Sequence, residues 1–223
     1  MVVAWRQTGA LQTLYIFVTM HIIPALQDWW HQQTWYEIIG FITGILCVAL
    51  AAFNNIWNWP IAIISVGFYI YIYYQKHLFA DTGLQVYFLL MNVYGWYYWS
   101  KAPATEEKAP IMRITERETI YSIIATIVFT VFLGSVLKYT SASFPYLDSF
   151  CAAVSLVAQV LLARKVLENW LIWTFVDIIY VGILIFKHLD LTAILYGIYV
   201  PLAIWGYFDW RKDYRKQLLP TQS

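Results

Sequence analysis

The chain has 223 residues, of which 61% are hydrophobic, 19% aromatic and only 12% charged. A soluble domain has about 25% charged residues, so this composition excludes an ordinary soluble protein and indicates an integral membrane protein. The formal net charge of +1 offers no basic surface for nucleic acid. Cys47 and Cys151 both lie in apolar segments, which argues against a disulfide framework.

Residues 1–34 precede the first long apolar segment. The stretch 11–26 within them is apolar but short, and it contains Gln12, His21 and Pro24. It lacks the basic start and small-residue cleavage site of a signal peptide. We interpret residues 1–34 as an amphipathic, interfacial segment, and the alternative is an eighth membrane span.

Seven further segments are long and apolar enough to cross a hydrocarbon core of about 30 Å, which requires about 20 helical residues. They are predicted at 35–53, 59–75, 82–99, 118–139, 146–163, 170–186 and 191–210. The sequence therefore predicts an all-α membrane protein with seven transmembrane helices.

The chain contains one membrane unit twice, at a constant offset of 111 positions. Residues 58–99 and 169–210 share 11 identities over 42 aligned positions without a gap. The identities include Asn58-Trp59 with Asn169-Trp170, Lys76-His77-Leu78 with Lys187-His188-Leu189, and Gly95 and Trp99 with Gly206 and Trp210. Internal repeats in a hydrophobic chain are typical of transporters, whose binding sites lie where the repeats meet.

The repeats account for the predicted domain organisation. Three spans form the first repeat (35–100), one span in a linker (101–140) connects the halves, and three spans form the second repeat (141–211). One inverting linker between two odd-numbered units returns the second unit to the orientation of the first. This predicts a 3+1+3 arrangement of parallel repeats, as in SWEET sugar transporters, followed by a tail at 212–223.

Basic residues orient the predicted bundle. Four Lys and Arg residues lie on one side of the seven spans and ten on the other. The positive-inside rule then puts the C-terminus in the cytoplasm and the start of the first span outside. The stretch 101–117, with mixed charges and two prolines, is expected to be a solvated cytoplasmic loop.

Several motifs resemble the PnuC family of bacterial vitamin transporters. In the first half these are Trp57-Asn58-Trp59-Pro60, Leu78-Phe79-Ala80-Asp81, Leu84-Gln85 and Tyr94-Gly95-Trp96-Tyr97-x-Trp99. In the second half they are Glu168-Asn169-Trp170-Leu171-x-Trp173, with Asp177 one turn later, and Leu191-Thr192-Ala193-x-Leu195-Tyr196. The resemblance covers residues 35–212. The chain departs from the pattern where Ala62 of the first repeat stands opposite Trp173.

The resemblance implies facilitated diffusion of nicotinamide riboside, a precursor of NAD, across the bacterial inner membrane. Alternating access between the repeats would move the substrate, and a cytosolic kinase would trap it by phosphorylation. Related subgroups carry thiamine, riboflavin or deoxynucleosides, so thiamine or another nucleoside-like vitamin is the nearest alternative. Relatives also suggest a homotrimer.

Asp177 is the strongest candidate for substrate binding. It is predicted near the bilayer midplane, where a charge costs about 2.5–3.5 kcal/mol and should face a cavity or a partner. It would contact the ribose hydroxyls or the cationic ring, whereas the alternative is a helix–helix hydrogen bond to Asn92 or a tyrosine. Trp173, four residues earlier, lies on the same face and suits a flat cation.

Further polar and aromatic residues are predicted to complete the pocket. Asn92 and Gln85 carry amides that suit a carboxamide, although helix–helix contact is the competing explanation. The remaining candidates are Phe88, Trp96, Asn169, Tyr69, Tyr180 and Tyr196. Trp59 is a candidate too, but for Trp59 and Trp170 an anchoring role at the membrane interface is favoured.

No nucleotide-binding loop, catalytic triad or metal-ligand spacing is present in the sequence, so we expect neither cofactor, metal nor enzymatic activity. Intramembrane acids and bases are too few for a proton relay, which favours passive movement over coupled pumping. Two rival classes stay open: an intramembrane enzyme that modifies a lipid, and a non-transporting receptor subunit.

Overall fold

The computed structural model describes residues 35–75, 77, 79–101, 109–140, 143–187 and 190–218. These residues form seven helices and no strand, with one isolated parallel bridge between Met112 and Val166. The all-α prediction is confirmed. The predicted interfacial segment, residues 1–34, lies outside the described residues.

The helices occur where the apolar segments predict them. They are α1 (Trp35–Ala52), α2 (Asn58–Gln75), α3 (Phe79–Ser100), α4 (Glu116–Leu137), α5 (Pro145–Ala163), α6 (Asn169–Phe186) and α7 (Asp190–Gln217). Most ends fall within three residues of the prediction, but α7 continues past the predicted Trp210 to Gln217. Its polar end is stabilised by an Asp213–Lys216 ion pair of 3.0 Å.

Three helices combine sufficient length with a uniformly apolar composition for a membrane span, namely Glu116–Leu137, Pro145–Ala163 and Asn169–Phe186. The helices α2, α3 and α7 instead carry many tyrosines and tryptophans, whose polar ends lower the mean hydropathy. The linking helix α4 buries only Gly134 among its residues and packs on α5. Its exposed isoleucines, valines and Phe132 are the surface expected in contact with lipid.

The duplication seen in the sequence extends to the atomic details of two turns. The first turn, residues 53–57, connects α1 to α2, and the second turn, residues 164–168, connects α5 to α6. Asn54 and Lys165, which are 111 positions apart, both have a positive φ, of 52° and 55°. Asn58 Nδ2 donates to Asn55 O at 2.7 Å, and Asn169 Nδ2 donates to Val166 O at 2.6 Å. The repeated asparagine thus closes the same turn in both repeats.

Four tryptophans, two from each repeat, pack together beside these turns. The ring centroids are 5.1 Å apart for Trp59–Trp99, 5.6 Å for Trp99–Trp210 and 5.4 Å for Trp170–Trp210. All four side chains are buried. We call this end of the bundle the tryptophan end.

Reciprocal hydrogen bonds join the repeats at the tryptophan end. Trp99 Nε1 of the first repeat donates to Ala163 O of the second at 3.2 Å, and Trp210 Nε1 of the second donates to Ala51 O of the first at 3.0 Å. An inverted copy would place equivalent residues at opposite ends of the bundle. The meeting of all four at one end shows that the repeats run in the same direction, as predicted.

Two glycines at repeat-equivalent positions make room for the tryptophans. A Cβ added to Gly95 would lie 2.4 Å from the Trp59 ring, and one added to Gly206 would lie 2.7 Å from the Trp170 ring. Interiors of this density have no slack for an extra methyl group. This close approach explains why both glycines recur in the repeat.

We predict that Gly95→Ala lowers the free energy of unfolding by about 1–3 kcal/mol, because the new methyl group overlaps the Trp59 ring. Gly67→Ala is the matched control, since nothing lies within 4 Å of its added Cβ, and it should be neutral or stabilising. Thermal unfolding of both variants in detergent measures the difference. Equal midpoints would contradict the close packing.

The expectation of a solvated loop is wrong for the second part of the linker. Residues 109–115, which we call the strap, pack against the tryptophan end, and Ala109 and Ile111 are each only 3% exposed. Lys165 Nζ donates to Ala109 O at 3.0 Å and lies 4.3 Å from the centroid of the Trp99 ring. The linker's apolar residues at alternating positions, amid its charges, were the signal for this burial.

Candidate functional site

Asp177 is buried in the middle of the bundle. It is the ninth residue of the 18-residue α6, and its side chain is 2% exposed. Within the described part of the chain, its Oδ1 has no hydrogen-bond partner. A buried carboxylate oxygen without a partner carries a large desolvation cost, which is the pattern expected of a group that receives a ligand.

Three tyrosines of the second repeat lie in the neighbourhood of this carboxylate. The ring centroids of Tyr180 and Tyr196 are 4.8 Å apart, and those of Tyr196 and Tyr199 are 5.6 Å apart. All three hydroxyls lie within electrostatic range of Asp177. Tyr180 also hydrogen-bonds Ser155 of α5, so its hydroxyl position is fixed by a neighbouring helix.

The first repeat completes the group from the other side. Tyr73 of α2 lies within range of Tyr196, and Tyr69 lies within range of Tyr199. Tyr69 and Tyr73 pack on each other with ring centroids 5.8 Å apart. We call these two residues, with Tyr180, Tyr196 and Tyr199, the tyrosine cluster. It joins α2 of one repeat to α6 and α7 of the other, where a carrier with two repeats is expected to bind its substrate.

Gly40 and Gly44 of α1 make the space for this cluster, and the sequence analysis missed them. A Cβ on Gly40 would lie 3.0–3.2 Å from the Tyr69 ring, and one on Gly44 would lie 2.7 Å from the Tyr199 hydroxyl. Their spacing of four residues puts both on one helix face. The motif Gly40-x-x-x-Gly44 was the available signal, since small residues at this spacing allow close helix approach.

Trp173 links the site to the tryptophan end. It is partly buried and packs both against the cluster that contains Trp170 and against the one that contains Val176 and Cys151. It lies one turn from Asp177 on the same helix face. An aromatic ring beside an acid can hold a flat cation between stacking and charge.

Asn92 is buried, with 3% exposure, and it accepts a hydrogen bond from Gln159 Nε2 to its Oδ1 at 2.9 Å. The bond connects α3 to α5, so it joins the two repeats. This is the helix–helix contact that we considered for Asn92, with Gln159 as the partner and not Asp177. A binding role for the amide of Asn92 stays a prediction.

Trp59 and Trp170 are not interfacial anchors, and that expectation is wrong. Their exposures are 1% and 2%, because each ring packs on a glycine and a tryptophan inside the bundle. Within the described residues, neither indole N–H has a partner. Asn169 is fully buried; its Nδ2 closes the second turn, and its Oδ1 is an unpartnered acceptor one turn before Trp173.

The other candidates of α3 are placed less centrally. Gln85 and Phe88 are partly buried, and Phe88 packs edge-on against Tyr87 at 5.9 Å. Trp96 is 44% exposed on the outside of the helix. The structure brings Tyr180 and Tyr196 near Asp177 and places Trp173 one turn away on the same helix. Tyr69 lies near Tyr199, and Trp96 is not part of this group.

The arrangement can bind but has few groups for chemistry. Among the described residues, no group of three His, Cys, Asp or Glu side chains could hold a metal ion. Asp177 is buried near three tyrosines and one turn from Trp173. An acid among aromatic side chains and hydroxyls suits a flat cation with hydroxyl groups.

Comparisons with known proteins show the family of the chain. The family model for the nicotinamide mononucleotide transporter matches residues 34–212. The nicotinamide riboside transporter PnuC of Escherichia coli (strain K12) is 29% identical over 213 residues, covering 84% of this chain and 89% of its own. The riboflavin/roseoflavin transporter RibM of Streptomyces davaonensis is 30% identical over 191 residues, with the same coverage of 84% and 89%.

A solved structure is similar over nearly the whole length. The crystal structure of the vitamin B3 transporter PnuC matches with a TM-score of 0.69 and 25% identity, covering 91% of this chain and 90% of that one. These relatives are membrane transporters and not enzymes, which decides against the intramembrane enzyme. The chain therefore belongs to the nicotinamide mononucleotide transporter family and is a multi-pass membrane transporter of the PnuC type.

Proposed function

We propose that this protein carries nicotinamide riboside across the membrane by facilitated diffusion, with alternating access between its two repeats. The observation that carries the proposal is the buried Asp177 carboxylate, whose Oδ1 has no partner among the described residues, near tyrosines of the second repeat that in turn neighbour Tyr69 and Tyr73 of the first. A single acid in this position can neutralise a single positive ring. It offers no chain of groups for coupled proton movement.

The cationic nicotinamide ring is assigned to Trp173 and Asp177. Trp is the best side chain for a cation over its face, a contact worth about 0.5–2 kcal/mol. Tyr180 and Tyr196 would border the ring, and Asn169 Oδ1 would accept from the carboxamide. Gln85 and Asn92, on α3, are proposed polar contacts for the far side of the substrate.

The C-terminus is proposed to lie in the cytoplasm, so that the tryptophan end faces inward. A cytosolic kinase would trap the vitamin there by phosphorylation. The chain would function as a homotrimer. The support for this orientation is the excess of Lys and Arg at that end, which includes Arg113, Arg164, Arg211, Lys212 and Arg215.

A membrane potential should drive this uptake if the carried species is a cation. A potential of 100 mV, negative inside, contributes about 2.3 kcal/mol per charge and thus about fiftyfold accumulation. We predict that a potassium diffusion potential raises the final level of labelled nicotinamide riboside in proteoliposomes and leaves that of a neutral vitamin unchanged. Equal accumulation of both would show that the riboside does not cross as a cation.

Thiamine is the second candidate, because its ring is also cationic and would satisfy Asp177 equally. Riboflavin is the third, since the RibM relative transports it and is as similar to this chain as the PnuC relatives. Binding calorimetry of the purified protein with nicotinamide riboside, thiamine and riboflavin distinguishes them. We expect the riboside to bind most tightly. Tighter binding of thiamine or riboflavin would reassign the substrate.

A further inference from the structure

The two turns at the tryptophan end share one backbone conformation but are covered very differently. In the first turn, Phe53 is 52% exposed, Trp57 is 64% exposed, and Asn55 and Ile56 are partly exposed, whereas Asn54 is buried. In the second turn, Lys165, Val166 and Leu167 are at most 1% exposed. Among the described residues, the strap accounts for this difference, because it hydrogen-bonds to the second turn.

The strap is hydrogen-bonded along the length of the second turn. Met112 N donates to Lys165 O at 2.9 Å, and Leu167 N donates to Met112 O at 2.9 Å. Ile114 N donates to Glu168 Oε2 at 2.8 Å, and Arg113 Nε pairs with Glu168 Oε1. The hydrogen bond to Glu168 and its negative charge raise the pKa of Arg113 above its ordinary value, so this pair stays ionised.

The same unit extends to both neighbouring helices. Ile111 N donates a hydrogen bond to Gln217 Oε1 at 3.2 Å, which connects the strap to the end of α7. Arg164 of the second turn pairs with Glu118 in the first turn of α4. Strap, second turn, start of α4 and end of α7 are therefore held as one hydrogen-bonded unit, which we call the anchored unit.

Among the described residues, the first turn is held to the anchored unit by fewer hydrogen bonds, and its remaining contacts are apolar, with Ile56 packed against the cluster that contains Ile111 and Trp210. The Phe53 ring packs edge-on against Trp205 of α7 with centroids 5.8 Å apart. Next to the turn, Trp210 Nε1 donates to Ala51 O at 3.0 Å. A hydrogen bond contributes about 0.5–1.5 kcal/mol net, so separating the first turn from α7 loses less hydrogen-bond energy than separating the strap from the second turn.

We propose that the tryptophan end opens by movement of the first turn away from α7, while the anchored unit stays together. Segments that move in a conformational change come from the less stable parts of a fold, and here the two repeats differ in that respect. The equivalence of the repeats in sequence would predict that both turns move equally. This inference rests on the proposed alternating access, because it names the half that moves.

Reversible crosslinks test the proposal in the full chain with Cys47→Ser and Cys151→Ala. One variant adds Phe53→Cys and Trp205→Cys across the first turn and α7, and the matched control adds Arg113→Cys and Glu168→Cys across strap and second turn. A short bifunctional thiol reagent closes each pair, and reduction reopens it. Closing the first pair should lower uptake of labelled nicotinamide riboside by about tenfold or more, whereas closing the control pair should change it by less than about twofold.

Spin labels provide a second readout that does not depend on transport. Labels at Trp57→Cys and Arg211→Cys should give a broad or two-peaked distance distribution in lipid nanodiscs. Labels at Arg117→Cys and Arg211→Cys, within the anchored unit, should give one narrow peak.

Uptake that is blocked by the control crosslink, or lowered equally by both, would overturn the proposal. So would a broad distribution confined to the Arg117–Arg211 pair. If the cysteine-free parent transports none of the three vitamins, the proposed function fails. The spin-label distances would then still decide whether the first turn is the half that moves.

Discussion

Replacing Asp177 by Asn should weaken binding of nicotinamide riboside by at least about tenfold. The substitution keeps the size of the side chain but removes the only buried acid of α6. Hydrogen bonds to charged groups contribute about 1.5–3 kcal/mol, and about 1.4 kcal/mol corresponds to a tenfold change in affinity. Calorimetry on the purified variant measures the loss directly.

Two controls show whether the effect comes from charge. The reduced form of the riboside has a neutral ring, so its affinity should be the same for the parent protein and Asp177→Asn. The thermal midpoint of Asp177→Asn should be equal or higher, because a buried carboxylate oxygen without a partner among the described residues is costly to fold. Unchanged affinity for the cationic form would exclude a charge role for Asp177 and leave only a hydrogen bond.

Trp173→Ala should mainly weaken binding, whereas Trp59→Ala should mainly lower stability. Trp173 is only partly buried and packs against the same cluster as Tyr180. Its loss should weaken binding by about tenfold, because the substrate would lose both the cation–π interaction and the stacking surface of the indole ring. Trp59 is 1% exposed and packs on Trp99 and Gly95, so its loss should lower the free energy of unfolding by about 3–5 kcal/mol.

The comparison of these two variants distinguishes a binding role from a packing role. Calorimetry and thermal unfolding, both applied to each variant, give the comparison. If Trp59→Ala lost as much affinity at a temperature where it is fully folded, the tryptophan end would belong to the binding site. If Trp173→Ala lost only stability, it would be a packing residue.

The repeat made most of the fold predictable. Asn58 and Asn169 identified two equivalent turns, and the structure shows them closed by the same side-chain hydrogen bond. The parallel orientation followed from the odd number of spans per repeat, and the reciprocal bonds of Trp99 and Trp210 bear it out. The chain encodes these features locally, in motifs that recur at one offset.

The features that depend on burial between distant segments were not predictable in the same way. In the sequence, Trp59 looks like an interfacial anchor because it is a tryptophan at the start of a predicted span. Only its packing on Gly95 and Trp99 shows that it belongs to the core. The partner of Asn92 is Gln159, on a helix 67 positions away in the chain, and nothing in the span of Asn92 indicates it. The stretch 101–117 was expected to be solvated because its seven charged residues outnumber the two apolar residues of the strap that are buried, Ala109 and Ile111.

The candidate site was predictable in its chemistry but not in its outline. Asp177 and Trp173 stand out in the sequence as an acid and an aromatic one turn apart within an apolar span. The tyrosines near them come from three helices. The glycines of α1 that make room for these tyrosines have no side chain that could mark them as site residues in the sequence. Which of eighteen tyrosines meet could therefore be learned only from the packing.

Flux through the purified protein tests the central claim most directly, namely that two parallel repeats enclose a site that carries a vitamin cation through the membrane. Proteoliposomes without ATP, preloaded with unlabelled nicotinamide riboside, are given the labelled compound outside. We predict rapid exchange that the Asp177→Asn variant loses and that riboflavin inhibits only weakly. Absence of exchange by correctly folded protein, or exchange that Asp177→Asn leaves intact, would contradict the claim.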